Sequence, residues 1–327
     1  MVLSALPQGF SGRPATLEDV DAVVALLQVC DTVDRGSSSM TKENLLRNWY
    51  LPGVNLERDT WLVFAADGQL AAYIKLQHLE LPQLHATPFV HPAYVHMELY
   101  AYLFDHIEEY ARQFIVQAST DARVALNTFG IAKNRALCSA AEAAGFVHVR
   151  SSWNMQIDMQ KAPPAPEWPA GIELRPFVRA MARAVHAADE EAFNDHWGYI
   201  PTSFEVFEQW FFNRPSFDPT LWFIPFENEQ IVGAALCEYR GDLGWVGSLS
   251  IRRPWRRRGL AQALLLHLFG EFYRRGTRSV ALFVDAESLT GATRLYERVG
   301  MHTVYQEDQY QKELRPGVEV STQTLYA

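Results

Sequence analysis

The amino-acid sequence predicts an α/β protein made of two tandem domains of the same kind, each a mixed twisted sheet flanked by helices. Three observations support this fold class: a weak internal repeat, a proline-rich segment between the two copies, and a strand–loop–helix segment in the second copy. The chain of 327 residues exceeds the usual size of a single hydrophobic core, which favours two domains. Hydrophobic residues make up 48% of it and charged residues 20%, so we expect a packed core in each domain.

The repeat consists of short matches that keep their order along the two halves at a spacing of about 160 residues. The matched pairs are Arg13-Pro14 with Arg175-Pro176, the segment starting at Trp61 with that starting at Trp222, Pro92 with Pro254, and Gly145-Phe146 with Gly300-Met301. Between the halves, residues 161–170 contain four prolines, a composition typical of a stiff linker. We therefore expect a first domain at 1–160, a linker at 161–170 and a second domain at 171–327.

Each copy has the same predicted order of elements: a first strand, one or two helices, a hairpin, a central strand, a long helix, a further strand, a short helix and closing strands. In the first copy, Thr16 followed by Asp19 marks a helix start ahead of the apolar positions of residues 20–27. Asp67-Gly68 predicts a turn between two strands, and Glu227-Asn228 stands near the corresponding point of the second copy. This mixture of strands and helices is the basis of the α/β assignment.

The second copy contains a strand that leads through a short loop into a helix. Residues 247–251 alternate as a strand does, and Pro254 ends the strand pairing because it lacks a backbone donor. The helix that follows is carried by Leu264, Leu265, Leu268 and Phe272 and ends at Gly276. Its N-terminus combines free backbone N–H groups with about half a positive charge from the helix dipole, which favours an anion.

Five arginines crowd this helix N-terminus, where the dipole disfavours positive charge by about 0.3–1 kcal/mol for each exposed group. They are Arg252, Arg253, Arg256, Arg257 and Arg258. A bound polyanion such as a diphosphate would turn this penalty into a gain, and we predict one here. The alternative is a solvated basic turn without a ligand.

The order of these residues resembles the acyl-CoA-binding motif of the GNAT superfamily of N-acetyltransferases, Q/R-x-x-G-x-G/A. Arg256, Gly259 and Ala261 fill its fixed positions. A second family segment, A-x-x-L-Y-x-x-x-G-F/M, is matched by Ala292, Leu295, Tyr296, Gly300 and Met301, and Ser288 stands where an asparagine is usual. The two-domain order is similar to that of tandem members of the superfamily such as mycothiol synthase. The resemblance implies an enzyme that transfers an acetyl group from acetyl-CoA to an amine.

The resemblance also implies roles for individual residues of the second domain. Backbone N–H groups of Leu249, Ser250 and Ile251 would hold the acyl carbonyl and the pantetheine arm, and Ser288 is the candidate for the contact that asparagine usually makes to that arm. The diphosphate would lie against Arg256, Arg257, Arg258, Gly259, Leu260 and Ala261. Tyr296 would give a proton to the departing thiolate, a step that general-acid catalysis accelerates by about 10²–10⁴. The alternative for Tyr296 is that it only packs with its neighbours on one helix face.

Two residues are candidates for the base that removes a proton from the acceptor amine. The strand at 244–251 has no carboxylate, so the candidates are Glu238 on the preceding strand and His196, whose ordinary pKa of ~6.5 suits this task. The alternative for His196 is a packing or capping role in a loop between helices. The acidic residues near it either draw in a cationic amine or form a solvated helix face. These are Asp189, Glu190, Glu191 and Asp195.

The first domain lacks both motifs at the corresponding positions. When Pro92 is aligned with Pro254, Tyr94, Met97 and Leu99 stand in the places of Arg256, Gly259 and Ala261. A methionine at the glycine of close approach would fill the space that a diphosphate needs, and Ala141 stands where the second domain has Tyr296. We predict a degenerate first domain that has no catalytic activity and serves as a scaffold.

Composition limits the location and the partners of the protein. The formal net charge of −9 argues against general binding to nucleic acid or to anionic membranes. No apolar run reaches the ~18 residues of a membrane span, and the three cysteines lack metal-like spacing and suit a reducing compartment. We therefore expect a cytoplasmic monomer or homodimer that uses acetyl-CoA as co-substrate, takes a small-molecule amine as acceptor and holds no metal.

Two alternatives of other classes remain. The first is a non-catalytic acyl-CoA-binding module that senses or scaffolds. The second is a nucleic-acid patch in residues 252–259, where Trp255 would stack on a base. Such binding would weaken steeply with salt, and the acidic composition disfavours it.

Overall fold

The computed structural model describes residues 4–51, 53–78, 81–95, 98–213, 216–288 and 291–322. Its contacts divide the chain into two compact units. Unit 1 comprises Met1–Ser152 and Tyr305–Val320, and unit 2 comprises Trp153–Val304 and Ser321–Ala327. Each unit is a mixed sheet flanked by helices, so the predicted α/β class is confirmed. The predicted boundaries at 160 and 171 stay a prediction about which segments fold independently.

Unit 1 contains the first five helices and the first strands of the chain. Its strands are β1 (Phe10–Arg13), β2 (Thr60–Ala65), β3 (Leu70–Gln77), β4 (Gln83–Ala86), β5 (Phe89–Val90), β6 (Val124–Ile131) and the first part of β7 (Val147–Asp158). Its helices are α1 (Val20–Arg35), α2 (Lys42–Trp49), α3 (Leu56–Asp59), α4 (Leu99–Ala111) and α5 (Arg135–Ala143). Short 3-10 turns lie at Leu17–Asp19, Pro92–Tyr94 and Arg112–Gln117.

Unit 2 repeats this order of elements. Its strands are β8 (Ile172–Pro176), β9 (Trp222–Glu227), β10 (Gln230–Ile231), β11 (Gly233–Arg240), β12 (Leu243–Ile251), β13 (Ser279–Asp285) and the start of β14 (His302–Arg315). Its helices are α6 (Ala182–Phe193), α7 (Phe204–Phe211), α8 (Leu260–Arg274) and α9 (Ala292–Arg298). Its 3-10 turns lie at Arg179–Met181, Pro219–Leu221 and Arg253–Trp255.

The sheet of unit 1 has helices on both faces. Its strand order is β1-β2-β3-β4-β6-β14, in which only the β4–β6 pairing is parallel. Leu84, Leu103 and Leu126 belong to the core between the sheet and helices α4 and α5. Val23 and Leu62 belong to the core under α1 and α2. Burial of apolar side chains on both faces is therefore what stabilises this sheet.

Two local predictions for unit 1 are confirmed. The backbone N–H of Thr16 donates to Asp19 Oδ2 at 2.8 Å, and α1 follows from Val20. Gly68, with φ +85°, forms the turn between β2 and β3. In both cases the signal lies within a few adjacent residues, which is why the sequence could specify it.

The sheet of unit 2 is built in the same way. Its strand order is β13-β12-β11-β9-β10, with β8 also paired to β9, and its β12–β13 pairing is parallel. Leu264, Leu268 and Phe272 of α8 are fully buried in one core, as predicted. The opposite core contains Val185 of α6 and Phe207 of α7. The helix of the predicted motif thus packs along the sheet and fixes the position of its own N-terminus.

The strand–loop–helix junction occurs in both units, but one residue away from the predicted alignment. In unit 1 the residue before α4 is Glu98, with φ +57°, and in unit 2 the residue before α8 is Gly259, with φ +82°. Glu98 is therefore the counterpart of Gly259, and the predicted pairing of Met97 with Gly259 is wrong by one position. The error arises because Pro92 is the first residue of its 3-10 turn and Pro254 the second of its own. Met97 itself lies outside the described residues.

Two kinds of feature are absent from the described ranges. No helix there combines the length and the apolar character that crossing a membrane would require. Nor do three or more His, Cys, Asp or Glu side chains come together there in an arrangement that could hold a metal ion.

Candidate active site

Strand β12 loses its parallel neighbour halfway along its length. It pairs with β13 at Gly244–Val280 and Trp245–Ala281, and the register described for this pair ends there. On its other side it stays paired with β11 as far as Ile251, with a bulge at Gly247. Residues 249–251 therefore lie in a stretch that has a strand neighbour on one side only among the described residues. A free strand edge offers backbone N–H and C=O groups to a ligand.

The loop after β12 turns its backbone toward the start of α8. Arg257 has φ +62° and Gly259 has φ +82°, and Gly259 is the residue from which α8 begins. Left-handed residues in so short a loop point successive N–H groups to one side, which is the geometry of a backbone anion site. A Cβ atom built on Gly259 would meet no atom within 4 Å, so the space in front of this helix N-terminus is open. This part of the chain fits a diphosphate.

The arginines of this loop are not the unneutralised cluster that the sequence predicted. Four of the five guanidinium groups form ion pairs with carboxylates contributed by other elements. The pairs are Arg252 with Glu191 at 2.7 Å, Arg253 with Asp195, Arg256 with Asp195 at 2.6 Å, and Arg258 with Glu227 at 2.7 Å. Arg257 is exposed and has no ion pair within the part of the chain that the structure describes. Mutual repulsion in this loop is therefore largely cancelled before any ligand binds.

Asp195 is the carboxylate that fixes the shape of the loop. Its side chain is 2% exposed and accepts hydrogen bonds from both Arg253 and Arg256. Arg256 also donates to the carbonyl oxygens of Ala192 and Ile251, each at 2.9 Å. The hydrogen bonds from Arg253, together with those from Arg256, hold the pKa of Asp195 well below its usual range, at about 2. The side chain of Arg256 thus faces α6 and holds the loop in place.

Tyr296 lies in the core on the α8 side of the sheet. It belongs to α9, is 7% exposed and shares its core with Leu264 and Met301. Burial raises the pKa of its hydroxyl to about 12, so the group stays protonated near neutral pH. Ser288 lies in the turn between β13 and α9, where its carbonyl accepts a hydrogen bond from the N–H of Gly291 at 3.2 Å.

The two predicted bases have surroundings that do not favour this role. Glu238 on β11 accepts hydrogen bonds from Ser216 Oγ at 2.7 Å and from Arg240 Nε at 3.0 Å, so both carboxylate oxygens are occupied. His196 lies in the turn after α6, with its ring 4.5 Å from that of Phe193. Removal from water by its neighbours lowers the pKa of His196, and the charge of Arg256 lowers it further. His196 is therefore neutral at neutral pH but weakly basic.

Asp189 is a carboxylate whose surroundings single it out, and the sequence placed it only among the acidic residues of α6. Asp189 Oδ1 accepts a hydrogen bond of 2.9 Å from Ser248 Oγ on β12. Burial raises the pKa of Asp189 to about 6, although the nearby hydroxyls of Ser250 and Ser248 oppose the rise. The sequence did contain a signal for this position. Asp189 lies one helical turn after the buried Val185, and it therefore lies near the face of α6 that packs on the sheet.

Comparisons with known proteins show which family this chain resembles. The model of the Acetyltransferase (GNAT) family matches residues 182–301. A solved GCN5-related N-acetyltransferase from Sphaerobacter thermophilus has 38% sequence identity and a TM-score of 0.84, and the match covers 97% of this chain and 100% of that one. A mycothiol acetyltransferase of Thermobispora bispora is 31% identical over 177 residues, which are 50% of this chain and 58% of that relative. Another, from Streptomyces scabiei, is 26% identical over 91% of this chain and 93% of that relative.

Proposed function

Since the chain belongs to the GCN5-related N-acetyltransferase (GNAT) superfamily, we propose that unit 2 transfers an acetyl group from acetyl-CoA to the amine of a small molecule. The family match at residues 182–301 falls within this unit, and it spans every side chain assigned to the site above. The curated relatives named as mycothiol acetyltransferases support a small-molecule acceptor. Those names specify mycothiol, and for this chain we propose only a small-molecule amine as the acceptor.

The observation that carries the proposal is the junction between β12 and α8. There the free edge of β12 runs into a loop with two left-handed residues, Arg257 and Gly259, and then into the N-terminus of a 15-residue helix. The N–H groups of Gly259, Leu260 and Ala261 would bind a diphosphate, with Arg257 and Arg258 beside it as cations. Arg256 would act through its backbone, since its side chain is bonded to Asp195.

The remaining site residues belong to strand β12, to the turn after β13 and to the core beside α8, and each would have a separate role in the reaction. The co-substrate, when bound, supplies the acetyl group as a reactive thioester. Backbone N–H groups of Leu249 and Ile251 would hold the acyl carbonyl and polarise it, and Ser288 would contact the pantetheine arm. The N–H of Ser250 points to β11 instead, because N–H groups alternate along a strand and that of Arg252 donates to Val232 on the β11 side. The hydroxyl of Tyr296 would donate its proton to the departing sulfur, whose ordinary thiol pKa is ~8.5.

We propose that unit 1 does not bind acetyl-CoA at its own junction. Glu98 occupies the position before α4 that Gly259 occupies before α8. Its carboxylate places a negative charge at the helix N-terminus, where it takes the electrostatic role of the diphosphate and repels one. Unit 1 would then serve as a scaffold.

The proposal is tested by placing the same negative charge in unit 2. Aspartate tolerates left-handed backbone and is a favoured residue at a helix start, so Gly259→Asp preserves α8 while its carboxylate enters the diphosphate space. We expect the Kd for coenzyme A, measured by titration calorimetry, to rise at least about tenfold, or ~1.4 kcal/mol.

Gly276→Asp is the matched control. Gly276 follows the other end of α8, has φ +94° and likewise has no atom within 4 Å of a built Cβ. We expect its Kd to stay within about twofold of the wild-type value. Equal affinity in Gly259→Asp and wild type would contradict the diphosphate site. Tight binding of coenzyme A without acetylation of any amine would instead favour a sensing or scaffolding module.

A further inference from the structure

A carboxylate and two serine hydroxyls form a polar cluster between α6 and the end of β12. Ser248 and Ser250 are 6% and 4% exposed and lie on the face of β12 that α6 covers. Ser248 donates to Asp189 at 2.9 Å. Ser250 Oγ is buried without a hydrogen-bond partner of good geometry in the described chain, although it lies near enough to Asp189 to lower the pKa of that carboxyl.

This cluster and Tyr296 lie on opposite faces of the same strand segment. Side chains alternate along a strand, so Leu249 and Ile251 point away from Ser248 and Ser250. Leu249 and Ile251 pack against the core that contains Tyr296. The strand edge proposed to hold the acyl carbonyl thus has a buried hydroxyl donor on one face and a partly buried carboxylate on the other.

We propose that Asp189 receives the proton that the acceptor amine loses when it is acetylated. This inference rests on the proposed function. The amine nitrogen forms a bond to the acyl carbon while the carbon–sulfur bond breaks. The nitrogen loses one proton, which passes to the Asp189 carboxylate, and the sulfur gains one from the Tyr296 hydroxyl. Exchange with solvent then returns a proton to Tyr296 and removes one from Asp189, so both residues begin the next cycle unchanged.

The groups around Asp189 support a base that works near neutral pH. Glu190 on the same helix disfavours the ionised form, and His186 one turn earlier favours it. The phenol of Tyr199, from the segment after α6, lies next to Glu190, and the charge of Asp189 acts on it only weakly. With burial as the largest influence, the pKa of Asp189 is about 6, which leaves the carboxylate ionised and still basic at pH 7. Glu238 is less available as a base, because Ser216 and Arg240 each donate a hydrogen bond to one of its carboxylate oxygens.

The test compares Asp189→Asn with Glu205→Gln in the full-length protein. Glu205 lies on α7 and its exposed side chain pairs with Arg183 at 3.7 Å, so its substitution matches the loss of charge without touching the cluster or the loop before α8. Thiol release from acetyl-CoA is followed with glucosamine, a linear diamine and free amino acids as acceptors, from pH 5 to pH 9. For the best acceptor, we expect Asp189→Asn to lower kcat/KM about 10²-fold or more and to remove the rise of the profile near pH 6. Glu205→Gln should retain both.

A second readout does not depend on turnover. A carboxyl whose pKa is raised in the folded state is protonated there and ionised in the unfolded chain between about pH 4 and pH 6, so folding stability falls with pH across this interval. We expect the Tm of wild type relative to Asp189→Asn to fall from pH 4 to pH 6 and to level off above it.

The outcomes separate the two proposals. If wild type binds no coenzyme A or acetylates none of the acceptors, the proposed function fails and this inference fails with it. If wild type is active and Asp189→Asn keeps its rate and its pH profile, Asp189 is not the proton acceptor and the proposed function stands. A Tm difference that does not vary with pH would likewise overturn the inference, because the carboxyl would then have an ordinary pKa.

Discussion

Tyr296 combines deep burial with a hydroxyl group, and this combination limits what the residue can do. Its pKa of about 12 keeps the proton on the phenol at physiological pH, so the group can donate a proton but cannot accept one. Tyr296→Phe removes that proton and keeps the ring that packs in the core. We expect kcat to fall about 10²-fold or more, with the Kd for coenzyme A within about twofold, measured by thiol release and calorimetry.

Tyr273→Phe is the control for this substitution. Tyr273 lies in the last turn of α8, at the opposite end of that 15-residue helix from Gly259, and its ring packs against the guanidinium of Arg278 at 3.9 Å. Its kcat should match that of wild type. If Tyr296→Phe also keeps the wild-type kcat, Tyr296 only packs in the core, which is the alternative that the sequence left open.

At the scale of single residues, the sequence could place a side chain only where the signal is local. Gly259 stands between a strand pattern and a helix pattern, and it is indeed the left-handed residue at the helix start. Arg256 shows the limit, because its guanidinium is bonded to Asp195, a residue on another element. The bond between Asp189 and Ser248 likewise joins a helix to a strand far along the chain. No pattern within either segment indicates its partner, so the arginine cluster was predicted to be unneutralised and Asp189 was not singled out.

At the scale of elements, the turn after α6 and the loop before α8 are held together by one buried carboxylate. Asp195 accepts from Arg253 and Arg256, and its pKa of about 2 lies below the ordinary ~4 of an unfolded chain. A carboxyl with a lowered pKa stabilises the fold above its unfolded pKa, and this contribution is lost as the pH falls through its folded pKa. The shift corresponds to roughly 2 kcal/mol.

We therefore expect Asp195→Asn to lower the free energy of unfolding by roughly 2 kcal/mol at pH 7, measured by urea titration. The difference from wild type should shrink between about pH 4 and pH 2. The Kd for coenzyme A should also rise, because the loop would lose the contact that holds Arg253 and Arg256. Glu191→Gln, which breaks a partly exposed pair with Arg252, should change stability by less than ~1 kcal/mol. A difference that is the same at pH 7 and pH 2.5 would show that the ionised form of Asp195 does not stabilise the fold.

At the scale of the whole molecule, membership of a unit does not follow chain order. The predicted order of elements is present in both units, since periodicity and turn signals are local properties. These local signals could not show that residues near the end of the chain complete unit 1. Gln309 and Gln311 of β14 both donate to Asn127 Oδ1 at 3.0 Å, and Arg315 donates to the carbonyl oxygen of Ala122 at 2.7 Å. Asn127 is fully buried and its amide nitrogen donates to Gln83 and Leu84, so the bonds from β14 satisfy the amide oxygen.

The presence of β14 in unit 1 leads to a prediction about fragments of the chain. A fragment of residues 1–160 ends after the first predicted domain but lacks β14, so the edge of β6 and the buried amide oxygen of Asn127 lose their partners. We expect it to give poorly dispersed amide NMR spectra and no cooperative thermal transition. The same fragment joined through a flexible Gly/Ser linker to residues 305–320 should give dispersed spectra and a cooperative transition. A version with the order of residues 305–320 scrambled is the control and should behave like the bare fragment. Cooperative unfolding of residues 1–160 alone would mean that the predicted boundary marks an independent folding unit and that β14 only adds to a sheet that is already stable.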